Sequence, residues 1–321
     1  MFGEDSFLNP PATFSIGSLQ FFIYGAIIAV GFLTALAYCT RRCTQFGITQ
    51  DNLVDMLLFA VPLAIVCARL YYVIFQWSEY ADDLTRIFRV WEGGVALYGA
   101  VIGAVVGLVI ACRWRKLSTG AMLDIGALGL LIGQIVGRWA NFVNREAFGA
   151  ETDVLWRMGL TDPRTNATIY VHPTFLYESM WNLLGFILLH IFTKKGKRQF
   201  DGQIFAMYVA WYGFGRMFIE GLRADSLYLL GTSIRASQLL AALSFVAAAV
   251  FLIVKLRRPY EPARLWARRA PVPALAGSPE PELLEDQDTD LDAPGVEQSI
   301  TLDELPSEDG PDTEDPDEDD S

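Results

Sequence analysis

Cysteine and histidine are both scarce in this chain of 321 residues. The four cysteines, Cys39, Cys43, Cys67 and Cys112, lie in or beside apolar runs and form no Cys-x-x-Cys pair. That pattern argues against a disulfide framework and against a zinc site. The only histidines are His172 and His190, which argues against a histidine-rich metal centre. No Lys or Arg stands before Arg41, and the first residues carry Glu4 and Asp5. The basic n-region of a cleavable signal peptide is therefore missing. The basic residues of the loops are dispersed in short clusters, so there is no nucleic-acid footprint and no nucleic-acid partner is expected.

What the chain does have is apolar length. Just over half of its residues are hydrophobic, at 52%. A spanning helix needs roughly 20 mostly apolar residues. Seven stretches qualify: Leu19–Cys39, Val54–Phe75, Val95–Cys112, Leu123–Val143, Phe175–Phe192, Ile204–Ile219 and Ala236–Leu256. The expected fold class is an all-α polytopic membrane protein with seven transmembrane helices.

Loop charges give the orientation. Arg41-Arg42, then Arg113, Arg115 and Lys116, follow the first and third stretches. Lys194, Lys195, Lys197 and Arg198 follow the fifth, and Lys255, Arg257 and Arg258 the seventh. Basic loops face the cytoplasm, which places the N-terminus outside and the C-terminus inside. The net charge of −12 belongs to a tail, because most of the excess acid lies after Pro271. From Gly277 to Ser321 the chain is rich in Asp, Glu and Pro, a composition that cannot bury enough apolar surface to order itself. The expected organisation is a membrane catalytic domain over 1–258. A basic juxtamembrane stretch and a disordered acidic cytoplasmic tail then fill 259–321. The basic stretch, with Arg264, Arg268 and Arg269, suits anionic lipid head groups.

Glycines recur every four residues at Gly99, Gly103 and Gly107, and again at Gly129, Gly133 and Gly137. Such stripes let helices three and four approach other backbones closely in lipid.

The polar residues inside the apolar runs fall at one depth. Gln134, Arg138, Asn141 and Arg145 share one helix face. So do Tyr212, Arg216 and Glu220, with Arg223 a turn further on. Arg138 and Arg69 each lie about 22 Å from the cytoplasmic ends of their helices, and Arg216 about 18 Å. Tyr24, Glu92, Tyr98 and His172 sit near the outer ends of theirs. Ionisable residues within membrane segments mark function by default. A structural reading competes at each place: Arg138 could snorkel, and Arg216 with Glu220 could be a self-neutralised pair. An arginine-lined pocket in the outer leaflet, roofed by the segment 145–171, suits a phosphate and hence a phospholipid head group. A phospholipid transporter or scramblase would also need membrane arginines, but its polar path should cross the whole bilayer, and here it stops halfway.

Gly137-Arg138-Trp139-Ala140-Asn141-Phe142-Val143-Asn144-Arg145-Glu146-Ala147-Phe148-Gly149 resembles the signature of the prolipoprotein diacylglyceryl transferases, enzymes of the bacterial inner membrane. Tyr24-Gly25, Ala68-Arg69-Leu70-Tyr71-Tyr72, Trp91-Glu92-Gly93-Gly94, His172-Pro173-Thr174-Phe175-Leu176-Tyr177-Glu178 and Tyr212 to Glu220 extend the resemblance over roughly residues 15–256. It implies transfer of the diacylglyceryl group of phosphatidylglycerol to the lipobox cysteine of a preprolipoprotein, with membrane lipids as surroundings and no cofactor. It further implies that Arg138 and Arg216 hold the phosphate, and that Asn141, Asn144 and Glu146 orient the head group. Tyr24 and Tyr212 would bond glycerol oxygens. Arg69, Gly149, His172, Glu220 and Arg223 complete the implied substrate site. The family usually has Gly at Ala140, and many members have His at Tyr98. A tyrosine is a poor base, with an ordinary pKa of about 10. Tyr98 is therefore expected to orient lipid or cysteine through its hydroxyl.

Overall fold

The computed structural model describes residues 12–16, 19–161, 165, 167–224, 228 and 235–270. The acidic tail from Gly277 lies outside the described residues, as does the Glu92 side chain.

Seven long helices dominate the described chain. They are α1 (Ile23–Arg42), α2 (Gln50–Phe75), α3 (Leu97–Trp114), α4 (Thr119–Asn144), α5 (Thr174–Lys194), α6 (Gln203–Leu222) and α7 (Ala236–Leu256). Two hairpins join them: β1 (Thr13–Ile16) with β2 (Leu19–Phe22), and β3 (Met158–Thr161) with β4 (Thr168–Val171). These hairpins depart from the purely helical expectation. The second lies within the segment expected to roof the site.

Helix starts follow local chemistry. Thr49 accepts from the amide of Asn52, and Ser118 from that of Ala121, each at 3.2 Å. These are side-chain caps for otherwise orphaned amides. Six of the helices, all but α6, are long and apolar enough to cross a bilayer. α6 has the length but also carries Gln203, Tyr208, Trp211, Tyr212, Arg216 and Glu220. Leu33, Leu58, Ile74 and Leu243 are exposed on the outer faces. Hydrocarbon tolerates such surfaces and water does not. The chain is a multi-pass membrane protein.

The α3 glycines do mark a close approach. A Cβ at Gly99, Gly103 or Gly107 would come within 2.4–2.9 Å of Cys67, Leu63 or Ala60 of α2. α3 thus lies against α2 and not, through this stripe, against α4. On α4, a Cβ at Gly129 would meet Cys39 of α1 and one at Gly137 would meet Ile28, while the Gly133 carbonyl lies 3.5 Å from a Cβ built at Gly31.

One end of the bundle, carrying the basic loops, holds the larger apolar core. Cys39, Phe46, Leu53, Met56, Cys112, Ile125, Leu128, Leu189 and Ile204 meet there. A polar knot closes that end. Asp124 accepts from the amides of Gly202 and Phe205 at 2.9 and 3.0 Å, and from Arg198 at 3.4 Å. Asp201 accepts from the Ser118 hydroxyl at 3.2 Å and from the amide of Trp266 at 2.9 Å. Trp266 opens the short helix α8 (Trp266–Arg269) and donates its indole N–H to the Gly47 carbonyl at 2.9 Å. Gly47 has φ +72°, and a Cβ there would come within 2.7 Å of Ala267. The juxtamembrane stretch is therefore docked onto the protein through Trp266, while Arg264, Arg268 and Arg269 stay exposed.

Candidate active site

α5 runs opposite to α4 and α6. Its fifth residue, Glu178, therefore meets residues late in both neighbours. Arg138 Nη2 lies 2.5 Å from Glu178 Oε2, and Arg216 Nη1 lies 2.6 Å from Glu178 Oε1. Arg216 Nη2 also reaches Glu220 Oε2 at 2.5 Å, across one helical turn. Arg223 Nη1 stands 4.0 Å from Glu178. The chain of contacts continues outward. Arg138 Nη1 is 3.4 Å from Asn141 Oδ1, and the Asn141 amide donates to Glu146 at 2.9 Å. Arg235 donates to the Glu220 carbonyl.

Glu178 and Glu220 are 4% and 2% exposed, so each carboxylate depends on its arginines for stability in the membrane. Three guanidiniums, those of Arg138, Arg216 and Arg223, converge on the one buried carboxylate of Glu178. A planar guanidinium has five donors, so Arg138 and Arg216 each have donors beyond those given to carboxylate. An anion with several oxygens matches this arrangement.

A backbone strap fixes the rim. Arg145 ends α4 with φ +55°. Gly149 then pairs with Arg223 as an isolated bridge, and its amide donates to His172 O at 2.9 Å. Ala150 N donates to Leu222 O at 2.8 Å. A Cβ on Gly149 would lie 2.6 Å from that of His172, so only glycine fits. His172 Nδ1 is 3.2 Å from the Tyr177 hydroxyl, which also accepts from the Trp156 indole at 2.7 Å.

Of the residues expected at the site, Arg138, Asn141, Glu146, Arg216, Glu220 and Arg223 share one network. Gly149 and His172 form its rim. Tyr212 lies one turn before Arg216 and stacks on Tyr208 at 5.9 Å. The Tyr208 hydroxyl accepts from Gln134 at 2.8 Å. Asn144 is exposed at the end of α4. Tyr24 lies one turn from Ile28, which touches Gly137, so it reaches a similar level.

Two expected residues stand elsewhere. Arg69 donates to the carbonyls of Ile87, Gly93, Gly94 and Arg86 at 2.5–2.9 Å, and lies over the Tyr80 ring. It holds the segment between α2 and α3 in shape, with its donors spent on backbone. Tyr98 is 46% exposed on α3, its ring 6.4 Å from that of Tyr71 on α2.

The residue missed as a site member is Glu178. Its signal was an acid one turn into an apolar helix. Only the meeting of three helices shows that it joins two arginines.

A family model of the prolipoprotein diacylglyceryl transferases matches residues 11–254. A phosphatidylglycerol–prolipoprotein diacylglyceryl transferase of Limosilactobacillus reuteri is 45% identical over 262 residues, covering 79% of this chain and 93% of the relative. The enzyme of that name from Lactiplantibacillus plantarum is 42% identical, covering 81% and 93%. The one from Enterococcus faecalis is 43% identical, covering 77% and 90%. With its arginine–glutamate centre and a match over most of its length, this chain belongs to the prolipoprotein diacylglyceryl transferase family.

Proposed function

We propose that this transferase moves the diacylglyceryl group of phosphatidylglycerol to the lipobox cysteine of a preprolipoprotein, the committing step of lipoprotein maturation. The observation that carries the site assignment is the convergence of Arg138, Arg216 and Arg223 on the buried Glu178 carboxylate. Arg138 and Arg216 grip the phosphate. The cysteine sulfur attacks the glyceryl carbon, a carbon–sulfur bond forms, and the carbon–oxygen bond to phosphate breaks. The electron pair goes to the phosphate oxygen, and glycerol phosphate leaves. Guanidiniums aimed at the developing charge lower that barrier, as arginine clamps do in phosphoryl chemistry.

The thiol must lose its proton first, and a positive surrounding lowers a thiol pKa. In this reading the arginine field supplies that effect. Asn141, Asn144 and Glu146 orient the head group, and Tyr24 and Tyr212 bond glycerol oxygens. Tyr98 and His172 face the incoming peptide or lipid. Arg69 acts through the segment it holds. Glu178 sets the separation of the two clamping guanidiniums.

The same reading takes α6 as a seventh span. It places the Arg138 end in the outer leaflet of the bacterial cytoplasmic membrane and the C-terminus inside, with residues 1–258 as catalytic domain and 259–321 as tail. A reporter fused after Arg258 is expected to behave as cytoplasmic, and one in the 151–166 segment as external. The opposite pattern would reverse every depth assignment. The deciding assay incubates purified protein with phosphatidylglycerol and a lipobox peptide. Diacylglyceryl mass on the peptide cysteine is expected, and its absence with folded protein would remove the assignment.

A further inference from the structure

A cavity of about 490 Å³ runs between α1, α4 and α5. Its upper wall includes Ile135 and Val136 of α4. Ile135 is one turn from Arg138, and its carbonyl accepts from Ser179, the neighbour of Glu178, at 2.9 Å. The cavity therefore begins just beneath the arginine centre. Gly31 of α1 lies against Val136, with 3.3 Å between a Cβ built there and that of Val136. Gly31 and Val136 are thus at one level. From Gly31 to Arg42, at the other end of the cavity, is about 17 Å along the helix.

The walls between are apolar. Thr34 and Ala37 of α1 face Ile132 of α4 and Leu183 of α5. The floor is a cross-tie between α1 and α5. Tyr38 OH lies 2.8 Å from His190 Nδ1, and the Tyr38 ring packs edge-on to Phe186 at 5.2 Å. Arg42 Nη2 approaches the Thr193 hydroxyl at 3.4 Å. A chain descending from the arginine centre would stop there.

We propose that this cavity takes one acyl chain of the donor lipid, and that the Tyr38–His190–Arg42 cross-tie sets the longest chain accepted. The proposal rests on the reading of Arg138 and its neighbours as the head-group site. Its occupant follows from continuity: the cavity opens one turn from Arg138, is lined by apolar side chains, and ends at polar ones. Selection here must work by exclusion. A chain leaving bilayer for cavity exchanges one apolar surrounding for another, so burial supplies no preference. A chain too long for the floor is refused by contact with Tyr38 and Phe186.

Ala37 is exposed, so a larger side chain there fills the cavity without displacing core. The test uses full-length protein, a lipobox peptide, and phosphatidylglycerols with dioctanoyl or dipalmitoyl chains. For Ala37→Trp the rate with the long donor is expected to fall about tenfold or more relative to the short one, a discrimination that pocket-shape changes reach. The short-donor rate should stay close to wild type. Phe186→Ala lowers the floor and should admit chains longer than wild type uses. Long-to-short ratios unchanged in both variants would overturn the proposal. So would an equal loss of both donors in Ala37→Trp that inserts normally. Release of a retained anionic lipid by Arg41→Glu, with the length profile unchanged, would assign the cavity to a lipid of the other leaflet and equally overturn it. Wild-type protein that transfers neither donor would instead fail the functional reading itself.

Discussion

Two buried polar centres occupy opposite ends of α4, one around Asp124 and one around Arg138, about 21 Å apart along the helix. They differ in composition and in reach. At Asp124 and Asp201, two carboxylates face one guanidinium, Arg198, and the backbone amides of Gly202, Phe205 and Trp266 with the Ser118 hydroxyl supply further donors. Asp124 is fully buried, and its acceptors are filled from within the chain. At Glu178, one buried carboxylate gathers three guanidiniums, and the network runs out to exposed Glu146. The first centre joins loops. The second draws arginines from two helices and the strap after α6 to one carboxylate and opens outward through Asn141. Buried charge in a membrane is therefore not one signal: the donor–acceptor balance separates a structural knot from a site.

The sharpest way to break this comparison is at Arg138. Arg138→Lys keeps the charge and loses the planar fork. Transfer is expected to fall by about 10²–10³, the usual loss for an electrostatic clamp, with normal membrane insertion. Near-normal rates in the lipobox-peptide assay would make Arg138 a structural charge like Arg198.

Asp124→Ala should do the reverse. It strips the Gly202 and Phe205 amides of their acceptor and leaves Arg198 only Asp201 at 3.7 Å, and breaking such a buried pair costs about 3–5 kcal/mol of stability. The thermal midpoint should drop while activity per folded molecule stays within about twofold, as for surface-neutral changes in function. A selective loss of activity in folded protein would erase the distinction between the two ends.

Tyr98→Phe is expected to cost about tenfold or less, the worth of one neutral hydrogen bond, with the alkaline rise in rate retained. Removing a general base costs about 10²–10⁴-fold, so a larger loss with that pH dependence abolished would make Tyr98 the proton acceptor. Smallest of all, truncation after Arg269 should leave transfer and thermal midpoint nearly unchanged. A stable but inactive truncated enzyme would bring the tail into the catalytic machinery.

Much of the site was legible before the fold because it is local. Tyr212, Arg216 and Glu220 sit at helical spacing, and the Arg216–Glu220 pair forms across that turn. Arg138 and Asn141 are likewise one turn apart and in contact. What periodicity cannot carry is a partner on another helix. Glu178 joins Arg138 and Arg216 only because α5 lies against both α4 and α6. Arg69 shows the converse: its depth matched that of Arg138, but the carbonyls that hold it come from a segment with no periodic signal. The glycine stripe on α3 announced a close neighbour without saying which, and the neighbour is α2. Short hairpins such as β3–β4 lack the length to stand out from a polar loop.

The contact between Trp266 and Gly47 spans 219 residues of sequence. A contact so distant forms only after everything between has been made, and such closures are slow. Gly47 lies after the first helix and Trp266 after the last, so synthesis must pass all seven helices before the indole is available. Through Asp201, the same residue reaches the turn before α6 and Ser118 at the start of α4. The bonds that Trp266 makes to these turns can therefore close only once the chain has been made up to that residue. A ribosome that stops short of Trp266 leaves a protein whose helices are all present and whose final seam is open.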